Sequence, residues 1–561
     1  MHRDDSLSSL TDRQAIWIII IVGLIVFFYI FFNGFVWDDV TYIIKNPELH
    51  KFNLWTLIGP NTFNSSGYFR PLPAVYFSLL YQFFGQTAFF YHLAQLLLHI
   101  SCTALLYFIF RRFYDLPISL ILSLVFLVHP INVESVAYIG STQSQLYFLF
   151  GGLAFYLAIP KQLSIKRIMT IHLLLAGALF TKEISVIYFF LIIIYRWLNR
   201  HPVSWKFILS STLVFLIYIP VRLAILGKFL HHMQLIPIAE LPLWHRLLHV
   251  PAVFFYYLKT FIFPDILAIN QIWTINQINL ANFYLPLVFS LLFLFILYFG
   301  LFKFGRLYTF FLLWFLSGMA FLLQIFPLDM TVADRWFYFP IVGLLGIIGL
   351  VISRIKSRKY LYLFTGLILA ILSIRTIFRT TDWHNPLILY SRDAGKFPNY
   401  DLENNLGAEL AFSGDYVSAL PHFQKAAELL PHDTNLYNVG SAYDYLQDYP
   451  NAKKYYQKSL EIQNDFPSHS QVRQLATVGL AKMLLLHDSA ESANSFIRLA
   501  ASQYPENGTL WGYLAVNEYQ LNHYEAALAA AQKAKIFLPN ETTDKLYQII
   551  KNRRKLDLQW E

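Results

Sequence analysis

The sequence predicts an all-α protein in two parts, a polytopic transmembrane helical domain followed by an array of helical repeats. Three observations predict it: an apolar composition, a train of apolar runs that ends near residue 380, and a recurring unit between residues 400 and 540. Of 561 residues, 56% are hydrophobic and 14% charged, against roughly 45–50% and 25% in soluble domains. Mean hydropathy is +0.46. Aromatic residues reach 18%, a bias that suits helices facing acyl chains and tyrosines at headgroup depth. The net charge of +9 raises a nucleic-acid reading, but the basic residues fall mostly in short segments between apolar runs, where they act as a topology signal. Nucleic acid is therefore set aside as a partner. Cys102, the single cysteine, lies inside an apolar run, which leaves no internal disulfide and no cysteine metal site.

A short polar start, 1–14, precedes the first apolar run, 15–32. No small-residue cleavage site follows that run, so it reads as an uncleaved anchor helix. The candidate spans, about eleven, are 15–32, 87–110, 117–130, 144–159, 168–180, 184–198, 207–226, 284–302, 307–325, 337–353 and 360–378. Several are shorter than the ~20 residues a span needs and must borrow flanking residues or lean on neighbours. Lysines and arginines cluster in alternate connections: Arg111 and Arg112; Lys161, Lys166 and Arg167; Arg196, Arg200 and Lys206; Lys303 and Arg306; Arg354 to Lys359. By the positive-inside rule these connections are cytoplasmic, together with the N-terminus. The connections 33–86, 131–143, 181–183, 227–283 and 326–336, and everything after 378, then lie outside. This alternation requires the apolar stretch 248–263 to be half-inserted or surface-lying rather than crossing. The membrane domain is thus expected over 15–380, the repeats over 381–545 and a tail over 546–561.

In the second half Leu406-Gly407, Val439-Gly440, Val478-Gly479 and Leu514-Ala515 each lead, nine residues after the small residue, to Tyr416, Tyr449, Asp488 and Tyr524. Ala419, Ala452 and Ala527 follow three residues later in three of the four units. The units recur at 33, 39 and 36 residues, near the ~34-residue tetratricopeptide period. Small residues let the two helices of a unit approach, and aromatic residues fill the gap to the next. An unspecific helical bundle is the alternative. Arrays of this kind commonly dock peptides or proteins, although fold alone names no ligand.

The outer connections carry polar groups that lipid does not explain. Asp38 and Asp39 follow the first span, and adjacent carboxylates repel, which raises the pKa of one and suits a general base. A solvated acidic pair at the membrane edge is the bland alternative. Tyr68-Phe69-Arg70-Pro71-Leu72 brings to the second span a guanidinium able to grip phosphate, or to snorkel to headgroups. His129-Pro130-Ile131-Asn132-Val133-Glu134 ends the third span with an imidazole and a carboxylate, and no second histidine stands at metal-ligand spacing. Lys182-Glu183 occupies a tight turn, and Asp334-Arg335 opens the tenth span; either could be a self-satisfied ion pair. Together these clusters converge on one side, at the depth of a lipid-linked phosphate.

On the stretches FVWDD (35–39), YFRPL (68–72), HPINVESV (129–136), Lys182-Glu183 and ADRWFYFP (333–340), followed by the repeats, the chain resembles the transmembrane and tetratricopeptide repeat-containing protein O-mannosyltransferases and their prokaryotic relatives in the GT-C superfamily. Where that family commonly has a second histidine after His-Pro-Ile, this chain has Asn132. The resemblance implies a GT-C membrane domain, a polyprenyl or dolichyl phosphate-linked sugar as donor, and inverting transfer to a hydroxyl, with Ser or Thr of proteins as acceptor. Asp38, ahead of Asp39, is then the expected base. Arg335 or Arg70 would hold the lipid phosphate, and Glu134, His129, Lys182, Glu183 and Asp334 would orient acceptor or sugar. A monophosphate leaving group held by arginine needs no divalent metal, so neither metal nor other cofactor is expected. The repeats are expected to present a protein or peptide acceptor on the extracytoplasmic side of the membrane, a bacterial or archaeal plasma membrane ahead of that of the endoplasmic reticulum. The rival readings are an enzyme acting on envelope lipid or polysaccharide and a non-catalytic repeat scaffold.

Overall fold

The computed structural model describes residues 10–59, 68–226, 236–462 and 467–556. The expected N-terminal segment 1–14 and tail 546–561 lie partly outside the described residues. Among those residues the regular elements are helical, and the only β pairing is an isolated antiparallel bridge between Gln271 and Val332. The chain divides into two compact units, Met1–Phe397 and Pro398–Glu561.

The first unit corrects the expected span count. Among the described residues four helices are long and apolar enough to cross a bilayer: Ala88–Phe110, Trp205–Leu226, Leu280–Phe304 and Arg358–Asp382. A bent pair, Leu116–Val128 with Pro130–Ala137, makes a fifth if counted as one span. The reason is length. A ~30 Å hydrocarbon core takes ~20 helical residues, whereas Asp12–Val26 has 15, Thr142–Ala158 and Ile165–Thr181 have 17 each, Ile187–Leu198 has 12, Arg306–Ala320 has 15 and Pro340–Ile352 has 13. Hydropathy counts apolar residues without registering where a helix stops; the first run, for example, leaves the α-helix at Val26 and continues as a 3-10 turn over Phe28–Phe32. The stretch 248–263 forms the helix Val250–Ile262, also only 13 residues long.

Burial sorts the long helices. In Ala88–Phe110, 61% of the apolar window is buried, against 11% in Trp205–Leu226 and 22% in each of the other two. The first is therefore the central helix, and the other three turn apolar flanks outward, as lipid-facing helices do. The core between the inner helices is aromatic: Trp314 stacks on Phe339, Phe155 on Phe310, and Tyr338 meets Phe126 and Phe148 edge-on. Close approach depends on Gly343, where a Cβ would stand 2.4 Å from the Phe315 amide nitrogen.

The bend between Leu116–Val128 and Pro130–Ala137 measures 52°. Pro130 causes it, because a residue before proline is pushed out of the helical region, and His129 has φ −70° and ψ 125°. Breaking the helix strands its last carbonyls. Asn132 Nδ2 donates to Phe126 O at 2.7 Å, His99 Nε2 lies 3.0 Å from Leu127 O, and Thr376 Oγ1 donates to Val128 O at 2.6 Å.

The second unit is a series of helix pairs: Tyr400–Phe412 with Tyr416–Leu429, Asp433–Tyr445 with Tyr449–Glu461, Pro467–His487 with Ala490–Gln503, and Gly508–Gln520 with Tyr524–Phe537, closed by Glu541–Lys551. The expected small residues sit at the crossings. A Cβ on Gly407 would meet the Phe423 ring at 2.8 Å, one on Gly440 the Tyr456 ring at 2.9 Å, and Ala419, Ala452 and Ala527 are fully buried. The 39-residue unit spacing has a visible source, since the helix Pro467–His487 runs 21 residues where its counterparts run 13. Three of the four inter-helix turns share a left-handed residue, Gly414, Gln447 and Asn522, with φ between 62° and 85°.

Candidate active site

Charged side chains from four loops gather at one place in the first unit. The acid pair follows Trp37, whose φ of 54° is unusual for a large side chain and turns the chain sharply after the 3-10 helix. Asp39 is fully buried and clasped by main chain: its Oδ1 accepts from the Gly140 amide at 2.7 Å and its Oδ2 from the Val36 amide at 3.2 Å. Burial pushes its carboxyl well above the usual range despite those bonds. Asp38 is only partly buried and is held by one side chain, the Tyr138 hydroxyl, which donates to its Oδ2 at 3.2 Å. Burial raises Asp38 to about 6; the Tyr138 bond and the Arg335 charge pull the other way, and Asp329 adds to the rise. Of the two expected acids, Asp38 is the less buried and the less tightly held.

Glu134 reaches the cluster because of the Pro130 bend. Its Oε1 accepts from Arg335 Nη1 and its Oε2 from the Arg335 amide at 2.9 Å, so both oxygens are engaged in fixing the arginine. The guanidinium lies over the rings of Trp37 (5.4 Å), Tyr138 (5.8 Å) and Trp336 (5.8 Å), and its Nη2 is 4.0 Å from Asp329.

A second set of cations stands beside it. Arg70 Nη2 is 3.5 Å from Glu183 Oε2, its guanidinium covers the Tyr68 ring at 3.9 Å, and its Nε is buried without a hydrogen-bond partner. Arg222 Nη1 donates to Glu183 Oε1 at 2.9 Å. Burial lifts Glu183, and the charges of Arg70 and Arg222 outweigh it and hold the carboxyl below its ordinary value. Lys182 Nζ donates to Ser144 Oγ at 3.4 Å and faces the Tyr147 ring at 5.6 Å. Burial first, then the charges of Arg70 and Arg335, lower this lysine to about 7. Tyr68 donates to Asp329 at 3.5 Å, which ties the loop 68–70 to the loop before Asp334.

Two expected site residues face elsewhere. His129 has Nε2 2.9 Å from Phe261 O and Nδ1 accepting from the Ile131 amide, and it stacks on Phe261, so one ring nitrogen bonds within the bend and the other ties the bend to the helix Val250–Ile262. Asp334 accepts from the Tyr256 hydroxyl at 2.5 Å; burial and the nearby Glu134 charge raise it well above the usual carboxylate range. Three members escaped the sequence reading: Tyr138, Asp329 and Arg222. Arg222 carried a usable signal, a charge inside an apolar helix. Tyr138 and Asp329 carried none beyond their outer loops. Among the described residues no group of three His, Cys, Asp or Glu side chains is placed to hold a metal.

No family model matches the chain. It is 25% identical to the protein O-mannosyl-transferase TMTC3 of Homo sapiens over 556 residues, which covers 87% of this chain and 60% of that protein. The Mus musculus TMTC3 protein is 24% identical over 85% of this chain and 58% of its own length. Protein O-mannosyl-transferase Tmtc2 of Drosophila melanogaster is 33% identical over 113 residues, 19% of this chain and 12% of that protein. The chain thus spans about 60% of the length of the human relative. Among solved structures, the APC/C hetero-tetramer Cut9-Hcn1 aligns over 95% of this chain and 98% of that one at 12% identity with a TM-score of 0.28. MamA (41-end) from Desulfovibrio magneticus RS-1 aligns over 28% and 84% at 19% identity with a TM-score of 0.25. Scores this low assign no fold. In sequence, over most of its length, the chain resembles the transmembrane and tetratricopeptide repeat-containing protein O-mannosyltransferases.

Proposed function

We propose that the protein is a membrane glycosyltransferase of GT-C type that moves a mannose-like hexose from a polyprenyl or dolichyl phosphate to a hydroxyl, that of Ser or Thr in a protein, on the extracytoplasmic side. One observation carries the reading: a partly buried carboxylate, Asp38, raised toward neutrality, shares a cluster with cations that its carboxylates do not saturate. The names of the relatives supply the reaction class.

Asp38 accepts the proton of the acceptor hydroxyl as that oxygen forms its bond to the anomeric carbon. The bond from that carbon to the phosphate oxygen breaks, its electron pair leaves with the lipid phosphate, and the anomeric centre inverts. The departing phosphate gains negative charge, which Arg70 and Lys182 meet through unfilled donors. Arg335, held by Glu134, adds a third positive charge to the cluster. The repeats supply the surface on which the acceptor chain docks.

The test is transfer of labelled mannose from polyprenyl phosphate to a Ser/Thr peptide by the full chain in membranes. Wild type forms an alkali-labile mannosyl peptide, and Asp38→Asn loses it while the protein remains folded. Equal transfer by both would sink the assignment of the base, and label appearing in lipid or polysaccharide alone would replace the protein acceptor.

A further inference from the structure

The turn that carries Tyr138 is built as a fixture. Gln95 Nε2, from the central helix, donates to the carbonyls of Tyr138 (3.1 Å) and Ile139 (3.3 Å), and the Thr142 hydroxyl donates back to Gln95 Oε1 at 2.8 Å. The Tyr138 ring is buried between Trp37, with centroids 5.0 Å apart, and the fully buried Trp383, stacked at 6.2 Å and 22°. Trp383 itself closes the helix Arg358–Asp382, and that helix end grips the acid loop: Asn33 Nδ2 donates to Thr380 O at 3.1 Å and the Gly34 amide to His384 O at 2.9 Å. Gly140 has no side chain because none fits. A Cβ there would stand 2.5 Å from the Tyr138 hydroxyl oxygen and ring carbon, well inside van der Waals contact. The same glycine donates its amide to Asp39. One short turn therefore holds both acids, one through a phenol and the other through an amide.

We infer that Tyr138 is a positioning residue for the transfer reaction: its hydroxyl fixes the orientation of Asp38 and keeps the carboxylate ionised, and Gly140 exists to leave room for it. The inference rests on Asp38 being the base. The charged and titratable groups that act on Asp38 are Asp39 from its own segment, Tyr138 from the turn after the bent helix, and Asp329 and Arg335 from the loop before Pro340–Ile352; Tyr42 acts on Tyr138, and Glu134 on Arg335. Of these, Tyr138 makes the direct hydrogen bond. The phenol favours the charged carboxylate, so its loss raises the pH at which Asp38 becomes a competent base.

The experiment is the pH dependence of kcat/KM for the full chain in membranes, compared among wild type, Tyr138→Phe and Gly140→Ala. Loss of a hydrogen bond to a carboxylate moves the acid limb up by about one pH unit, which is roughly a tenfold loss below the limb and near-complete recovery above it. Gly140→Ala keeps the phenol but displaces it, and moves the limb the same way. Adding Tyr138→Phe to Asp38→Asn costs nothing further. A uniform fall with the limb unmoved in both single variants overturns the positioning role while leaving the base in place. Full activity in Asp38→Asn overturns both.

Discussion

Two buried clusters of arginine and carboxylate lie in the membrane unit, and they differ in how completely they are neutralised. At the end of the helix Arg358–Asp382, Arg379 donates to both oxygens of Asp393 at 2.6 and 2.9 Å and to Asp382 at 3.2 Å. Asp393 also accepts the Ile269 amide at 2.8 Å, and Asp382 takes Arg392 and Lys396 as well. Donors and acceptors there are matched. Beside Asp38 they are not: Arg70 leaves Nε unfilled, Lys182 has a hydroxyl where an ion pair would be expected, and Asp38 rests on a single phenol. A buried charge costs several kcal/mol unless paired, on the order that such groups are normally removed or neutralised. Under the proposed function the donor phosphate completes the unmatched cluster, whereas the matched one, with its donors and acceptors already paired, needs no ligand.

The largest expected effect separates the two clusters by what fails. Asp38→Asn lowers transfer by about 10²–10⁴-fold, the usual contribution of a general base, with the unfolding temperature unchanged. Asp393→Ala strands the Arg379 charge and costs about 3–5 kcal/mol of stability, read as a lower unfolding midpoint in detergent. If instead Asp393→Ala left stability intact and abolished transfer, the division between the clusters would be wrong. A smaller effect concerns pH. Transfer by kcat/KM rises through about pH 6 as Asp38 loses its proton, and falls above about pH 7 as Lys182 loses its charge. Lys182→Arg, which stays charged throughout, removes the alkaline fall and leaves the acid limb; a wild-type profile flat from pH 7 to 9 would exclude Lys182 from anion binding. The smallest lies in the repeats, where Asp448 caps the helix Tyr449–Glu461 through the Asn451 amide. Asp448→Ala costs about 1 kcal/mol of stability and leaves transfer to a short peptide unchanged.

The repeats were the most legible part of the sequence, because their spacing depends on local helix pairs and on side chains that must be small at a crossing. Gly407, Gly440 and Ala419 sit where the period put them. The span count was the least legible. Hydropathy does not register a helix end such as Val26, nor the length lost to a 3-10 turn. In the site, motif residues at loop ends were visible, whereas Tyr138 was hidden because its value comes from Trp37, Gln95 and Trp383, 101, 43 and 245 residues away. His129, expected among the site residues, has both ring nitrogens engaged by main chain, a placement that only the fold reveals.

The elbow at Pro130 has an evolutionary consequence. Its three stranded carbonyls take their donors from residues 99, 132 and 376, scattered across the sequence and otherwise out of place in apolar surroundings. Descendants that keep the proline inherit a joint obligation to keep a donor at every one of those positions, and a lineage that straightens the elbow is released from all three at once. Drift at 99, 132 and 376 should therefore be correlated.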